Sequence, residues 1–273
     1  MNLNSRLPDV GTSIFTVMSR MAQEHGAINL SQGFPDFEVS PALIDLIYKY
    51  LKAGHNQYAP MPGTPALRKA IADVITKTYQ RPTDFETEVT ITAGGTEALF
   101  STIAALVQKD DEVIVFDPAY DSYNPAIRLN GGVPKHISLN PPYFVIDWEQ
   151  VKHTITPRTR LIIINTPHNP TGSILREADL KQLESIVQAH NIIVLSDEVY
   201  ERIIFDNKSH ESVLKYPGLA QQSVAVFSFG KTFHATGWKV GYAVAPEHLT
   251  REIRKAHQFI TFSVNTPVQL ALA

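Results

Sequence analysis

Lys231 closes the apolar run Val224-Ala225-Val226-Phe227-Ser228-Phe229-Gly230-Lys231. A lysine there, where a strand gives out in Ser and Gly, puts an amine at a sheet edge that opens into a cleft. Taken out of water, such an amine loses its proton below the ordinary lysine value of about 10.4 and becomes a nucleophile toward aldehydes. Alone, the residue reads more readily as a solvated surface lysine, the usual state of that side chain.

Other apolar runs also end in residues that can do chemistry. After Val89–Thr92 comes Ala93-Gly94-Gly95-Thr96-Glu97. A strand, a small-residue turn and a helix start leave the N–H groups of Gly95 and Thr96 facing an anion, helped by the helix dipole. A plain helix cap is the alternative, and the absence of a Walker or G-x-G-x-x-G spacing disfavours a nucleotide. After Val113–Phe116, Tyr120 can lie flat on a planar ligand or pack into the core. After Leu161–Ile164, two prolines and a glycine within Asn165–Gly172 make a rigid loop, with a cis bond expected at Asn169-Pro170. That loop fixes the Asn169 amide for a phenolic oxygen or a carboxylate, unless it is only a tight turn; His168 reads as structural. After Ile192–Leu195 stands Ser196-Asp197-Glu198-Val199-Tyr200. A buried Asp197 needs a cationic partner such as a protonated ring nitrogen, and Tyr200 can reach the same ring; the alternative is a helix cap by Asp197. Ser228 and Lys239, the latter eight residues past Lys231, offer a hydroxyl and a second cation. An anion nest, a flat aromatic, a fixed amide, a buried carboxylate and an amine share one answering ligand. It is a pyridine bearing an aldehyde, a phenolic oxygen and a phosphate: pyridoxal phosphate.

These groups must be carried by a frame that brings strand ends together. The runs Val89–Thr92, Val113–Phe116, Leu161–Ile164, Ile192–Leu195 and Val224–Phe227 are rich in β-branched residues and alternate with helical patterns such as Glu97–Val107 and Ala178–His190. That alternation predicts an α/β fold with a mostly parallel sheet covered on both faces, whose ligand binds beyond the carboxyl ends of the strands. Upstream, Ser40-Pro41 and Thr64-Pro65 begin helices, Ser40 as a cap, and the residues before Ser40 read as irregular. Thr266-Pro267 begins a last helix, and the chain stops at Ala273 within its apolar pattern, which reads as a truncation.

The bulk composition fits this frame. Of 273 residues, 44% are hydrophobic and 19% charged, with a formal charge of −3. No basic block suggests nucleic acid, and no apolar stretch reaches membrane-helix length. The chain has no Cys, hence no disulfide and no thiolate metal site, and no metal is expected. The first residues lack an apolar signal core, and a cytoplasmic setting is expected.

Taken in order, Asn29–Asp36, Asn56–Pro60, Asn165–Gly172, Ser196–Tyr200 and Ser228–Thr232 resemble the fold-type I pyridoxal-phosphate enzymes of the class I/II aminotransferase family, within it the methionine and kynurenine aminotransferase branch. The resemblance covers essentially the whole chain. It implies a three-layer cofactor domain at 41–273, an N-terminal active-site arm at 1–40, and a C-terminal small domain missing from this chain. By position, Lys231 would be the Schiff-base lysine and proton carrier, Asp197 the partner of the pyridine nitrogen, and Asn169 and Tyr200 the partners of the phenolic oxygen. Tyr120 would stack on the ring, and Gly95, Thr96, Ser228 and Lys239 would hold the phosphate. Many relatives carry Arg where Lys239 stands, which makes this grip a point charge rather than a fork. Tyr58 would reach the phosphate of a neighbouring subunit, implying a homodimer with shared sites. The Gly33 backbone and Asn169 would meet the substrate carboxylate, and Phe34 would line the side-chain pocket. The implied reaction is ping-pong transamination between an L-amino acid, methionine or an aromatic or kynurenine substrate, and a 2-oxo acid. A cysteine-conjugate carbon–sulfur lyase on the same residues and a non-catalytic fragment are the alternatives. Because the family's small domain supplies the arginine that clamps the substrate carboxylate, a chain ending at Ala273 is expected to turn over weakly.

Overall fold

The computed structural model describes residues 4–33 and 37–273. In chain order the elements begin with α1 (Ile14–Glu24), α2 (Pro41–Lys52), α3 (Pro65–Tyr79), β1 (Val89–Thr92), α4 (Gly95–Leu106) and β2 (Glu112–Asp117). Next come α5 (Tyr123–Leu129), β3 (Val133–Ser138), α6 (Trp148–Thr154), β4 (Thr159–Asn165), α7 (Glu177–His190) and β5 (Ile193–Asp197). The chain continues through α8 (Pro217–Ala220), β6 (Ser223–Ser228), α9 (Phe229–Thr232), β7 (Gly241–Val244), α10 (Glu247–Ile260) and α11 (Thr266–Leu272).

The strands form one seven-stranded sheet in the order β1-β7-β6-β5-β4-β2-β3. The pairs from β6 to β3 are parallel, and β7 runs antiparallel to both β6 and β1. Both faces are covered, and side-chain alternation shows how. Ile162, Ile164, Val194 and Phe227 pack with Leu67 and Ile71 of α3 and Leu183 of α7. Their neighbours Leu161, Ile163, Leu195 and Val226 pack on the opposite face with Leu99 and Ile103 of α4 and Ile253 of α10. A strand apolar on both faces is what a doubly covered parallel sheet requires. Each Val, Ile or Leu fully buried this way contributes roughly 1.5–3 kcal/mol.

Several expectations are corrected. The stretch before Ser40 holds α1, capped by the Ser13 hydroxyl accepting from Thr16 N–H. Its Ile14, Val17, Met18 and Met21 repeat at helical spacing but bury nothing, so no core contact marked the helix. Ser40 precedes α2 without a side-chain cap bond, Pro41 filling the first turn instead. Two strands, β3 and β7, were not anticipated. Strands β5 and β6 run further than their apolar cores, because Ser196 and Asp197 still pair with Ile164 and Asn165, and Ser228 with Gly241.

These pairings bring the functional strand ends together. Asn165 lies beside Asp197, Asp197 beside Val226, and Ser228 beside Gly241, which faces Thr92 on its other side. The loops leaving these positions share one edge of the sheet.

Candidate active site

A cleft of about 460 Å³ opens at that edge. Gly33, Gly95, Thr96, Tyr120, Asn169, Asp197, Tyr200, Ser228, Lys231 and Lys239 all line it. The five strand-exit features therefore meet in one place. Phe34 lies outside the described residues. Tyr58 is not in the cleft: it is 81% exposed, in a separate groove with Asn56, Gln57 and Asn265, its ring edge-on to Phe262.

The anion nest is built by glycine. Gly94 adopts φ 80°, a backbone region open to glycine, and sets the first turn of α4, which has no side-chain cap. A Cβ on Gly94 would lie 3.2 Å from Lys239 Nζ, so that amine stands over the nest. Lys239 itself holds φ 52°, left-handed for a residue with a side chain, and α9 and the turn after it return its amine to the cleft. Beneath the nest, Gly241 is favoured for a different reason. A Cβ there would come within 2.6 Å of Phe227 O and 2.9 Å of both Gly94 C and Gly95 N, all backbone atoms. Gly241→Ala is expected to cost about 1–3 kcal/mol of stability, read as a lowered urea midpoint. An unchanged midpoint would show that the nest yields without cost.

Asp197 is 3% exposed. Tyr123 OH donates to its Oδ2 at 2.7 Å, and Val199 N–H reaches Oδ1 at 3.4 Å. Burial pushes its carboxyl up to about 6; the Tyr123 and Val199 bonds pull back, Glu198 adds to the rise and Lys231 opposes it. No helix starts at Asp197, so it caps none. Lys231 Nζ stands 5.3 Å from the centre of the Tyr200 ring. Burial lowers the Lys231 amine below its ordinary value, Asp197 opposes, and Lys239 lowers it further. Burial, then the charge of Asp197, raises the Tyr200 phenol. Tyr120 meets Tyr123 edge-on, ring centres 5.6 Å apart.

The proline-rich loop is locked as its sequence suggests. Both Thr166-Pro167 and Asn169-Pro170 are cis. Asn165 Nδ2 donates to Asp197 O at 2.8 Å, and its Oδ1 accepts from Asn169 N–H at 2.7 Å, tying the two strand exits together. His168 is structural: it pairs with the Thr171 hydroxyl at 2.8 Å and lies outside the cleft lining. On the near wall, Asn29 Oδ1 accepts from Ser31 N–H and from the Ser31 hydroxyl, a local turn that presents Ser31, Gln32 and Gly33 to the cleft.

Sequence reasoning missed Tyr123, Asn165 and Phe15. Asn165 was legible as the first polar residue after an apolar run. Tyr123 and Phe15, from the first turn of α1, reach the site only through tertiary packing.

The model of the class I and II aminotransferase family matches residues 25–273, and the chain belongs to that family, whose members are pyridoxal-phosphate-dependent enzymes of fold type I. It is an aminotransferase. More particularly, it is 54% identical over 269 residues to the methionine aminotransferase of Escherichia coli strain K12, a match covering 98% of this chain and 70% of that protein. The crystal structure of Escherichia coli YbdL, identified with a methionine aminotransferase function, superposes with a TM-score of 0.96 at 52% identity, covering 100% of this chain and 71% of that one. Human kynurenine–oxoglutarate transaminase 1 is 33% identical over 282 residues, 98% of this chain and 67% of that protein. Among the described residues no helix is long and apolar enough to cross a membrane, and no cluster of potential metal ligands occurs.

Proposed function

We propose that this chain moves the amino group of an L-amino acid, methionine first, to a 2-oxo acid, with pyridoxal phosphate held in the cleft. One observation carries the reading: a partly buried amine whose proton is loosened and a buried carboxylate that accepts hydrogen bonds only from neutral groups face the same space. The residues present fit the cofactor. Asp197 accepts only from neutral donors, Tyr123 and Val199, and leaves a cationic ring nitrogen as the partner its burial demands. The uncapped first turn of α4, Ser228 and Lys239 suit a phosphate.

When bound, the cofactor supplies an electron sink for the carbanion formed at the substrate's α-carbon. Everything else falls to the chain. Lys231 Nζ would take the proton from the α-carbon and pass it on to a different carbon rather than back, a task suited to an amine that burial has made easier to deprotonate. Asp197 would keep the ring nitrogen protonated, while Asn169 and Tyr200 would hold the phenolic oxygen. Tyr120 would cover the ring face, and Gly95, Thr96, Ser228 and Lys239 would fix the phosphate. The Gly33 backbone and the Asn169 amide would meet the substrate carboxylate. Phe15 and Leu99 add apolar surface to the cleft, suited to an unbranched thioether side chain.

In this reading residues 1–40 are the active-site arm and 41–273 the cofactor domain. Tyr58, exposed and away from its own cleft, completes the site of a second copy in a homodimer. The cytoplasm is the proposed setting. The aminotransferase relatives favour transamination over a carbon–sulfur lyase.

The test is a half-reaction. Protein loaded with pyridoxal phosphate and given methionine alone should release one 2-oxo acid per site and stop, resuming when an acceptor oxo acid is added. Pyruvate released continuously from a cysteine conjugate without acceptor would move the assignment to the lyase. Loaded protein that converts no amino acid would sink the proposal.

A further inference from the structure

Glu97 follows the nest residues Gly95 and Thr96 in the first turn of α4, and the proposed chemistry makes no use of it. Its side chain is 9% exposed, and that of its partner His257, on α10, is fully buried. Glu97 Oε2 accepts from Ala93 N–H at 3.0 Å, the residue that opens the nest. Oε1 faces the Ser101 hydroxyl and, at 3.0 Å, His257 Nδ1. The other ring nitrogen, Nε2, stands 3.0 Å from the carbonyl oxygen of Met61.

This geometry places an oxygen acceptor at each ring nitrogen. A carbonyl oxygen only accepts, and Glu97, already taking an amide N–H and a hydroxyl, acts as an acceptor too. An imidazole with hydrogen on both nitrogens donates to both of these acceptors at once. Around the ring, α4 supplies Glu97 and Ser101, and the 59–63 turn supplies the Met61 carbonyl. Arg254 on α10 turns away to Thr90 Oγ1 and the backbone oxygens of Glu86 and Val89.

We propose that Glu97 and His257 form a buried ion pair that positions the anion nest against the turn at 59–63 and thereby sets the nest's affinity for a phosphate group. One end of the pair grips the nest through Ala93. The other grips the turn that follows Tyr58 and is also held by the Ser263 hydroxyl on Ala59 O at 3.0 Å. Both groups are positioning residues, out of contact with the ligand. Their influence falls on the phosphate end of a bound cofactor and spares the pyridine end, which Asp197 and Lys231 govern from β5 and α9. The inference rests on the reading that the nest takes the phosphate.

The experiment has two readouts on the 273-residue chain. The first is nitrogen NMR of the His257 ring, identified by its loss in His257→Gln; both nitrogens should carry protons at neutral pH. The second compares pyridoxal phosphate with pyridoxal, which lacks the phosphate, across wild type, Glu97→Gln, His257→Gln and the double variant. Each single variant should lose about tenfold in affinity for pyridoxal phosphate and little for pyridoxal, as expected for a broken charged hydrogen bond. The double variant should be no weaker than the weaker single, because the two groups act as a unit. Circular dichroism verifies folding; should His257→Gln not fold, Glu97→Gln carries the ligand comparison. A ring with one bare nitrogen, equal losses for both ligands, or additive losses would each overturn the proposal. A wild type that binds neither ligand would overturn the cofactor reading instead, and the ring measurement would still decide the ion pair.

Discussion

Lys231→Ala should lower the rate of methionine deamination by at least roughly 10²–10⁴-fold, the usual contribution of a positioned proton carrier. The loss should exceed that of any other single substitution in the cleft, because Lys231 is proposed both to anchor an aldehyde and to move the α-proton. Lys239 cannot substitute. Its amine is committed to the nest, within reach of Gly94, while Lys231 Nζ faces the Tyr200 ring. The pH dependence has a defined sign. The active form is the free amine, so the rate rises with pH, and burial brings that rise below the ordinary lysine value of 10.5. A second readout is independent of turnover. Borohydride treatment of wild type loaded with pyridoxal phosphate should add the cofactor less one oxygen atom (water lost on condensation, two hydrogens gained on reduction) to the peptide containing Lys231, and nothing to the alanine variant. The same adduct on another lysine would relocate the chemistry.

Much of this site was legible because each strand announces its own end. A run such as Leu161–Ile164, apolar on both faces, must lie inside a covered sheet, and the first polar residues after it must stand at the sheet's edge. The residues at several such edges could then be compared before any of them was seen together. What stayed hidden depends on partners far along the chain. Strand β3, with Lys135 and His136 part-exposed at the sheet edge, lacks the doubly apolar pattern. Strand β7 has only four residues and is defined by antiparallel pairing with β1 and β6. Tyr123 meets Asp197 across 74 residues of sequence, and no local pattern encodes that bond. The Glu97–His257 pair spans 160 residues for the same reason. Local periodicity writes the frame into the sequence, whereas polar pairs between elements emerge only when the frame closes.

Asp197→Asn should split stability from function. Without cofactor, the Asp197 carboxyl is raised from 3.8 to about 6, chiefly by burial. The folded chain therefore keeps a proton that the unfolded chain has released between those values, and stability present below pH 3.8 is lost as pH rises through about 6. At pH 7 the ionised, buried carboxylate costs the cofactor-free fold roughly 3 kcal/mol at most, and an isosteric amide that still accepts from Tyr123 removes that cost. The variant without cofactor should accordingly show a higher urea midpoint than wild type at pH 7, with the advantage gone near pH 4. With cofactor and substrate the order should invert. Removing one member of a buried ion pair costs about 3–5 kcal/mol, which corresponds to a loss of roughly a hundredfold to a few thousandfold in activity. A packing defect would lower both quantities together, and a carboxylate unconnected to the ligand would leave activity untouched. Only a group whose desolvation is tolerated for the sake of a bound cation raises one quantity while lowering the other.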